Sequence, residues 1–148
     1  MRNFFRVILA AVLATALPLS AAGIKMQVYK TATCGCCAKW VEQLKANGFD
    51  VTVENVPSTA PYRAKYGVPE RLASCHTAVV NGYAIEGHVP ASDILRLVKS
   101  GAKAKGIAVP GMPVGSPGME VGDRVDAYSV MLFDASGNAS VYQNYPAK

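Results

Sequence analysis

The chain of 148 residues has the length of a single domain, and it is 51% hydrophobic and 17% charged with a formal net charge of +5. A multidomain enzyme is therefore not expected. The Lys and Arg residues are scattered along the chain without the dense cluster that phosphate binding favours, which argues against a nucleic-acid partner.

The first 22 residues have the features of a secretory signal peptide. Arg2 and Arg6 precede the apolar run Val7–Leu17, and small residues follow up to Ala22. The alternative is a membrane anchor, but the 11 apolar residues of the run fall short of the roughly 20 that span a bilayer. We expect cleavage after about Ala22, export to the periplasm, and no membrane attachment of the remaining single domain, residues 23–148, which has a formal charge of +3.

The start of the exported part predicts a β-α-β unit. Met26–Lys30 alternates and is rich in strand-forming residues, which predicts a strand that leads into a cysteine-rich loop. Apolar residues at helical spacing predict a helix over Cys37–Asn47 that stops at Gly48. Val51–Val56 alternates and is followed by a proline, which predicts the second strand.

The middle of the chain predicts two further helices and a hairpin. Ser58–Tyr66 is a short helix candidate. Thr77–Val80 and Tyr83–Glu86 are short strand candidates separated by Asn81-Gly82, the dipeptide most typical of a tight hairpin turn. Asp93–Lys99 has apolar residues on one side and predicts another helix.

The remainder combines a long loop with a last hairpin. Gly101–Asp126 is rich in Gly, Pro and Met, so neither a helix nor a strand is expected to persist there. Ser129–Phe133 and Ala139–Tyr142 predict a hairpin that extends the sheet. The order of elements, with a cysteine motif between the first strand and the first helix, predicts an α/β fold of the thioredoxin-like plan, a mixed sheet flanked by helices.

Three cysteines, Cys34, Cys36 and Cys37, fall within four residues at the start of the predicted helix. Disulfides among cysteines so close in sequence cannot link distant parts of the chain, as the disulfides of a small secreted domain do. A C-x-x-C pair at a helix N-terminus, here Cys34 and Cys37, favours either disulfide exchange or metal ligation, because the helix end stabilises thiolates. The third thiol between them favours the metal.

A second element, Cys75-His76, directly precedes the third predicted strand. If the thioredoxin register holds, His76 replaces a cis-proline that lies against the active-site cysteines, so both residues face the first three cysteines. Thiolates select Cu(I), zinc or iron–sulfur clusters, and crowded thiolates suit a polynuclear Cu(I) cluster better than one tetrahedral zinc ion. His88, Met112 and Met119 are further candidate ligands, with loop capping and packing as their alternative roles.

Several motifs occur in a fixed order between about Met26 and Tyr145. They are Val28-Tyr29-Lys30, Thr33-Cys34-Gly35-Cys36-Cys37, Lys39-Trp40-Val41-Glu42, Ser74-Cys75-His76-Thr77-Ala78-Val79-Val80, Gly87-His88-Val89-Pro90-Ala91, Ala108-Val109-Pro110-Gly111-Met112-Pro113 and Gly115-Ser116-Pro117-Gly118-Met119-Glu120. Together they resemble the CopG-like family of small exported copper-resistance proteins. The resemblance implies a thioredoxin-like fold, a periplasmic location, copper binding through the cysteines and a role in copper tolerance. Interconversion of Cu(I) and Cu(II) is its candidate activity, and other periplasmic copper-handling proteins are the implied partners.

Two positions depart from the pattern of this family. Members often have histidine where this chain has Gln43 and methionine where it has Val114, so one nitrogen donor and one thioether donor are missing. The residues themselves leave two alternatives open, a thiol–disulfide oxidoreductase acting on proteins and a structural zinc or iron–sulfur domain.

Overall fold

The computed structural model describes residues 22–148, which form a seven-stranded mixed sheet with three α-helices. The predicted signal peptide lies outside the described residues except for Ala22. Within the described range, no helix is both long and apolar enough to cross a membrane. The elements in chain order are β1 (Ile24–Lys30), α1 (Gly35–Ala46), β2 (Phe49–Asn55), α2 (Ala60–Lys65), a 3-10 helix (Glu70–Leu72), β3 (His76–Val80), β4 (Tyr83–Glu86), α3 (Ala91–Ser100), β5 (Gly106–Ala108), β6 (Tyr128–Phe133) and β7 (Ala139–Tyr145).

The strands lie in the order β2-β1-β3-β4-β5-β6-β7. The pairs β1–β2 and β4–β5 are parallel, and the other neighbours are antiparallel. Helix α1 connects the parallel strands β1 and β2, as the β-α-β prediction requires. The antiparallel pairing of β1 with β3 places Lys30 opposite His76. The end of β1 and the start of β3 therefore meet at one edge of the sheet.

The predicted strands and helices are all present, with ends that differ by three residues or fewer. Asn81 and Gly82 have φ values of +47° and +83°, the positive values that a type I′ hairpin turn needs at both central positions. The last hairpin, β6 and β7, extends the sheet as expected. The mixed α/β architecture is confirmed, while the assignment to the thioredoxin-like plan stays a prediction.

One prediction about the long loop is wrong. Gly101–Asp126 was expected to contain no strand, but β5 lies within it and its three residues are buried between β4 and β6. Strands on both sides hydrogen-bond to it. Pairing and burial in the sheet therefore override the local preference of a segment flanked by glycine and proline, which sequence patterning does not reveal.

The sheet separates two apolar clusters. Neighbouring residues of one strand point to opposite faces, so Ile107 packs with helices α1 and α3 while Ala108 packs on the other face with Leu72 and Phe133. Helix α1 buries the stripe Cys37, Trp40, Val41 and Leu44, which has the spacing of one helical face. This packing fixes the cysteine-bearing end of α1 against the sheet.

The contact between β4 and β5 leaves no room for a side chain at Gly106. A Cβ atom there would lie 1.9 Å from the carbonyl oxygen of Ala84 and 2.8 Å from the ring of Phe133. We expect Gly106→Ala to lower the free energy of unfolding by about 3 kcal/mol or more, because the sheet must separate to admit the methyl group. Urea unfolding followed by circular dichroism measures this loss.

The matched control is Gly35→Ala, where an added Cβ meets no atom within 4 Å. It should change the free energy of unfolding by about 0.5 kcal/mol or less. Equal unfolding midpoints for the two variants would contradict the close packing of β4 against β5.

Candidate metal centre

The two cysteine-bearing segments meet where β1 ends and β3 begins. Cys34 is the residue before α1, Cys36 and Cys37 lie in the first turn of that helix, and Cys75 directly precedes β3. Cys37 is buried and the other three cysteines are half-buried. The sequence prediction that Cys75 faces the first three cysteines agrees with this arrangement.

The four sulfur atoms form one group in which all lie within 4.8 Å of one another. Cys34 and Cys37 form a disulfide, and Cys36 and Cys75 are free. Each free sulfur lies beside a different half of the disulfide: Cys36 Sγ is 3.4 Å from Cys34 Sγ, and Cys75 Sγ is 3.4 Å from Cys37 Sγ. Both disulfide exchange and shared metal ligation are therefore sterically accessible to these four residues.

Two fully buried histidines adjoin the sulfurs. His88 places Nε2 2.9 Å from Cys75 Sγ, and its Nδ1–H donates a hydrogen bond of 2.8 Å to the carbonyl of Pro117. That bond assigns the proton to Nδ1, so Nε2 carries the free lone pair. His76 places Nδ1 3.4 Å from the same sulfur. Cys37, Cys75, His76 and His88 form a second group of donors within 4.8 Å of one another.

Burial keeps these groups uncharged in the absence of a cation. It lowers the pKa of His76 to about 3, with the neighbouring His88 adding to the effect, and it also lowers the pKa of His88. Burial, with the neighbouring Cys36, raises the pKa of the Cys75 thiol to about 12. The neutral imidazole is the form of histidine that binds metal. A bound cation offsets the cost of burying a charged thiolate, so it favours deprotonation of Cys75.

Trp40 closes the centre on the side of the apolar core. Its indole ring is fully buried, lies 4.2 Å from the ring of His76, and donates its N–H to the carbonyl of Val89 at 2.8 Å. The Nε2 atom of His76 is buried and has no hydrogen-bond partner among the described residues.

The Gly/Pro/Met-rich loop packs against the start of α1. A Cβ atom at Gly118, where φ is +86°, would lie 2.7 Å from the carbonyl oxygen of Cys36. Glu120 accepts hydrogen bonds from the backbone N–H of Gly118 at 2.9 Å and from the side chain of Gln43 at 2.7 Å. Gln43 therefore helps to hold the loop in place.

The two predicted methionine ligands lie in this loop. Met112 is 53% exposed and follows Gly111, which hydrogen-bonds to the segment that carries Cys75. Met119 is half-buried and follows Gly118. The structure therefore brings together six of the eight predicted ligands, the four cysteines and two histidines, while the methionines lie on the adjoining loop and their role as ligands stays a prediction.

A buried ion pair that the sequence analysis missed holds the segment before Cys75. Glu86 accepts hydrogen bonds from Arg63 Nε at 3.0 Å, from the hydroxyl of Thr77 at 2.6 Å and from the N–H of Ser74 at 2.8 Å. Arg63 also donates to the carbonyl of Ser74 at 3.1 Å. Both backbone groups of the residue before Cys75 are thus fixed by one pair of charges.

Part of this network had a signal in the sequence. The Asn-Gly turn fixes the hairpin register, which places Glu86 directly opposite Thr77. Arg63 had no such signal, because it reaches Glu86 from helix α2, 23 positions earlier in the chain.

The chain is similar to one protein family and to two solved structures. A family model described as a protein of unknown function, DUF411, matches residues 72–119. Two solved structures, named copper resistance protein copG Form 2 and Form 1, are each 50% identical to this chain with a TM-score of 0.80. Each covers 84% of this chain, and the matches span 99% and 98% of the two solved chains. None of the curated proteins matches.

The buried ion pair gives a prediction for stability. Glu86→Ala should lower the free energy of unfolding by about 3 kcal/mol, because it leaves the Ser74 N–H and the Thr77 hydroxyl without their acceptor and leaves the buried Arg63 with the exposed Glu70 as its one remaining carboxylate. Glu42→Ala is the matched control, since Glu42 pairs with Lys45 on an exposed helix face, and it should cost less than about 1 kcal/mol. Urea unfolding of metal-free protein measures both, and similar losses would show that the pair does not anchor the segment.

Proposed function

Since the chain belongs to the CopG family of copper resistance proteins, we propose that it is an exported copper-binding protein of copper tolerance. In this proposal the cysteines bind Cu(I) as thiolates in a polynuclear site. The observation that carries the proposal is the convergence of four cysteine sulfurs within 4.8 Å of one another. Soft sulfur donors at this density suit Cu(I) better than they suit hard cations.

The histidines support a site with more than one copper ion. Cys37 and Cys75 belong to both donor groups, one of four sulfurs and one of two sulfurs with two imidazoles. A sulfur shared by two groups of donors suits a bridging thiolate. His76 fits a ligand role because its unpartnered buried nitrogen is unfavourable in a purely structural residue.

Copper binding in this proposal requires the reduced protein. The Cys34–Cys37 disulfide removes one sulfur from the second donor group and two from the first. An oxidised sulfur pair has no thiolate to donate to a metal, so oxidation and copper loading oppose each other.

The finer features of the proposal rest on the family and on the donor set. We extend the proposal to a periplasmic location after removal of residues 1–22 and to transfer of copper to and from other periplasmic copper-handling proteins. Sulfur donors favour Cu(I), while imidazoles also suit Cu(II). The mixed donor group of two sulfurs and two imidazoles therefore supports interconversion of Cu(I) and Cu(II), with a periplasmic electron carrier as the other reactant. Met112 and Met119 are the proposed thioether donors from the loop.

A thiol–disulfide oxidoreductase is the second candidate function, because a C-x-x-C disulfide lies at the N-terminus of α1. The additional sulfur of Cys36 lies 3.4 Å from Cys34 and competes for that disulfide. Copper binding would also occupy the thiolates that exchange requires. We therefore place this function second.

We predict that the reduced protein without residues 1–22 binds more than one Cu(I) ion per chain. The sulfurs of Cys37 and Cys75 belong to both donor groups, so each can bridge two neighbouring Cu(I) ions. Anaerobic titration with Cu(I), followed by metal analysis after desalting, gives the stoichiometry.

Two outcomes would favour the alternatives. One zinc ion per chain that excess Cu(I) fails to displace would indicate a structural zinc domain. Reduction of insulin at the rate of a thioredoxin control, unchanged by stoichiometric Cu(I), would indicate the oxidoreductase.

The shared sulfurs give a second prediction about copper. Cys75→Ser removes a donor from both groups, whereas Cys36→Ser removes a donor from one. We expect each variant to weaken Cu(I) binding by at least about 100-fold, because even outer-shell changes at metal sites cost 10–100-fold. The loss should be larger for Cys75→Ser.

Competition with a chromophoric Cu(I) chelator measures these affinities. Met131→Leu is the control, because Met131 lies in β6 and packs with the second apolar cluster. It removes a sulfur from the second apolar cluster, which contains none of the predicted ligands, and should leave the affinity unchanged. Wild-type affinity in Cys75→Ser would show that Cys75 is not a ligand.

A further inference from the structure

We propose that Cys75 and His88 form a nucleophile–base pair that moves the disulfide from Cys34–Cys37 to Cys37–Cys75. This exchange concerns the sulfurs of the proposed copper site but does not depend on copper. Its product is an oxidised protein in which Cys34 and Cys36 are the free thiols.

The contacts of Cys75 place its thiol next to both a base and the disulfide. Its sulfur lies 3.4 Å from Cys37 Sγ, one of the two sulfurs of the disulfide. The lone pair of His88 Nε2 lies 2.9 Å from the attacking sulfur, within the distance required of a general base. The bond from His88 Nδ1–H to the carbonyl of Pro117 orients the imidazole, as a third group does in cysteine–histidine sites.

The leaving sulfur is also well placed. Cys34 is the residue before α1, a helix of 12 residues, so the N-terminal end of that helix stabilises a thiolate there. The thiol of Cys36 lies 3.4 Å away and can donate a hydrogen bond to the released sulfur. A stabilised thiolate is the better leaving group in thiol–disulfide exchange.

The step balances without an external oxidant or reductant. The Cys75 thiol gives its proton to His88 Nε2, and Cys75 Sγ forms a bond to Cys37 Sγ. The Cys34–Cys37 bond breaks with its electron pair on Cys34 Sγ, which then takes up the proton that His88 releases. One disulfide replaces another, and the protein has the same number of thiols before and after.

The position of the disulfide decides which donors remain. With Cys34–Cys37 oxidised, Cys75 stays free beside His76 and His88. With Cys37–Cys75 oxidised, the mixed donor group loses both sulfurs, and two free thiols, Cys34 and Cys36, adjoin each other at the start of α1. The exchange therefore moves one free thiol from the buried histidines to the helix end, while Cys36 stays free throughout.

The two disulfides can be told apart by peptide mapping. Trypsin cleaves after Lys30, Lys39, Arg71 and Arg96, which places the first three cysteines on peptide 31–39 and Cys75 on peptide 72–96. The original disulfide stays within one peptide, and the exchanged one joins two. Metal-free protein is oxidised with one equivalent of diamide and quenched at intervals with excess N-ethylmaleimide in denaturant, which blocks the free thiols. It is then digested with trypsin near neutral pH and analysed by mass spectrometry.

We expect the joined peptides to form in at least about a tenth of the molecules, with fragment ions that assign the bond to Cys37 and Cys75. Met131→Leu, a change within the second apolar cluster, is the control and should retain the joined peptides at the wild-type level. Cys36→Ser tests whether the joined peptides contain a bond through Cys36, and it should still form them because its hydroxyl can also donate to Cys34. If all disulfides stay within peptide 31–39, or if the joined form disappears in Cys36→Ser, the proposed exchange is wrong. Because no copper is present, either result leaves the measured copper stoichiometry unaffected.

The role of His88 is tested by the rate of exchange. His88→Ala should slow the appearance of the joined peptides by at least about tenfold, since a positioned base contributes a factor of 10² or more. Imidazole added to the buffer should restore part of the rate by filling the space left by the buried ring. Exchange at the wild-type rate in His88→Ala, or a slow rate that imidazole does not raise in a folded variant, would exclude His88 as the base.

Discussion

The candidate centre depends on one backbone interaction, the antiparallel pairing of β1 with β3 that sets Lys30 opposite His76. Cys34 follows the end of β1 by four residues, and Cys75 directly precedes β3, so this register brings the two segments to the same edge of the sheet. A shift of one residue would turn His76 away from Trp40 and towards the opposite face. The approach of Cys75 to the other three sulfurs therefore follows from the sheet register.

Strand β3 places side chains of the centre on one face of the sheet and side chains of the buried ion-pair network on the other. His76 points towards α1 and packs on Trp40, while the next residue, Thr77, points to the other face and hydrogen-bonds to Glu86. The ion pair of Glu86 with Arg63 is costly to desolvate, but it satisfies the backbone of Ser74 at the point where the chain enters the centre. A buried polar network on one face thus stabilises the position of Cys75, whose side chain acts on the other.

Much of the fold could be predicted from the sequence because its signals are local. The helical stripe of α1, the Asn81-Gly82 turn and the alternation of the strands each depend on a few neighbouring residues. Strand β5 could not be predicted, because three residues carry no periodicity and its stability comes from β4 and β6. At the candidate site, residue chemistry identified the cysteines and histidines, but Arg63 and the carbonyl of Pro117 act through contacts distant in sequence.

The Gly/Pro/Met-rich loop, whose sequence predicts no regular structure, makes specific contacts with residues of the centre. Pro117 orients His88, Gly118 fits closely against the backbone of Cys36, and Glu120 connects the loop to Gln43 on α1. Histidine at position 43 could offer a metal ligand, whereas glutamine here donates a hydrogen bond to the loop. This contact connects the loop that orients His88 to α1, the helix that carries Cys36 and Cys37. The docking of that loop therefore positions the imidazole and the helix end that adjoin the four sulfurs.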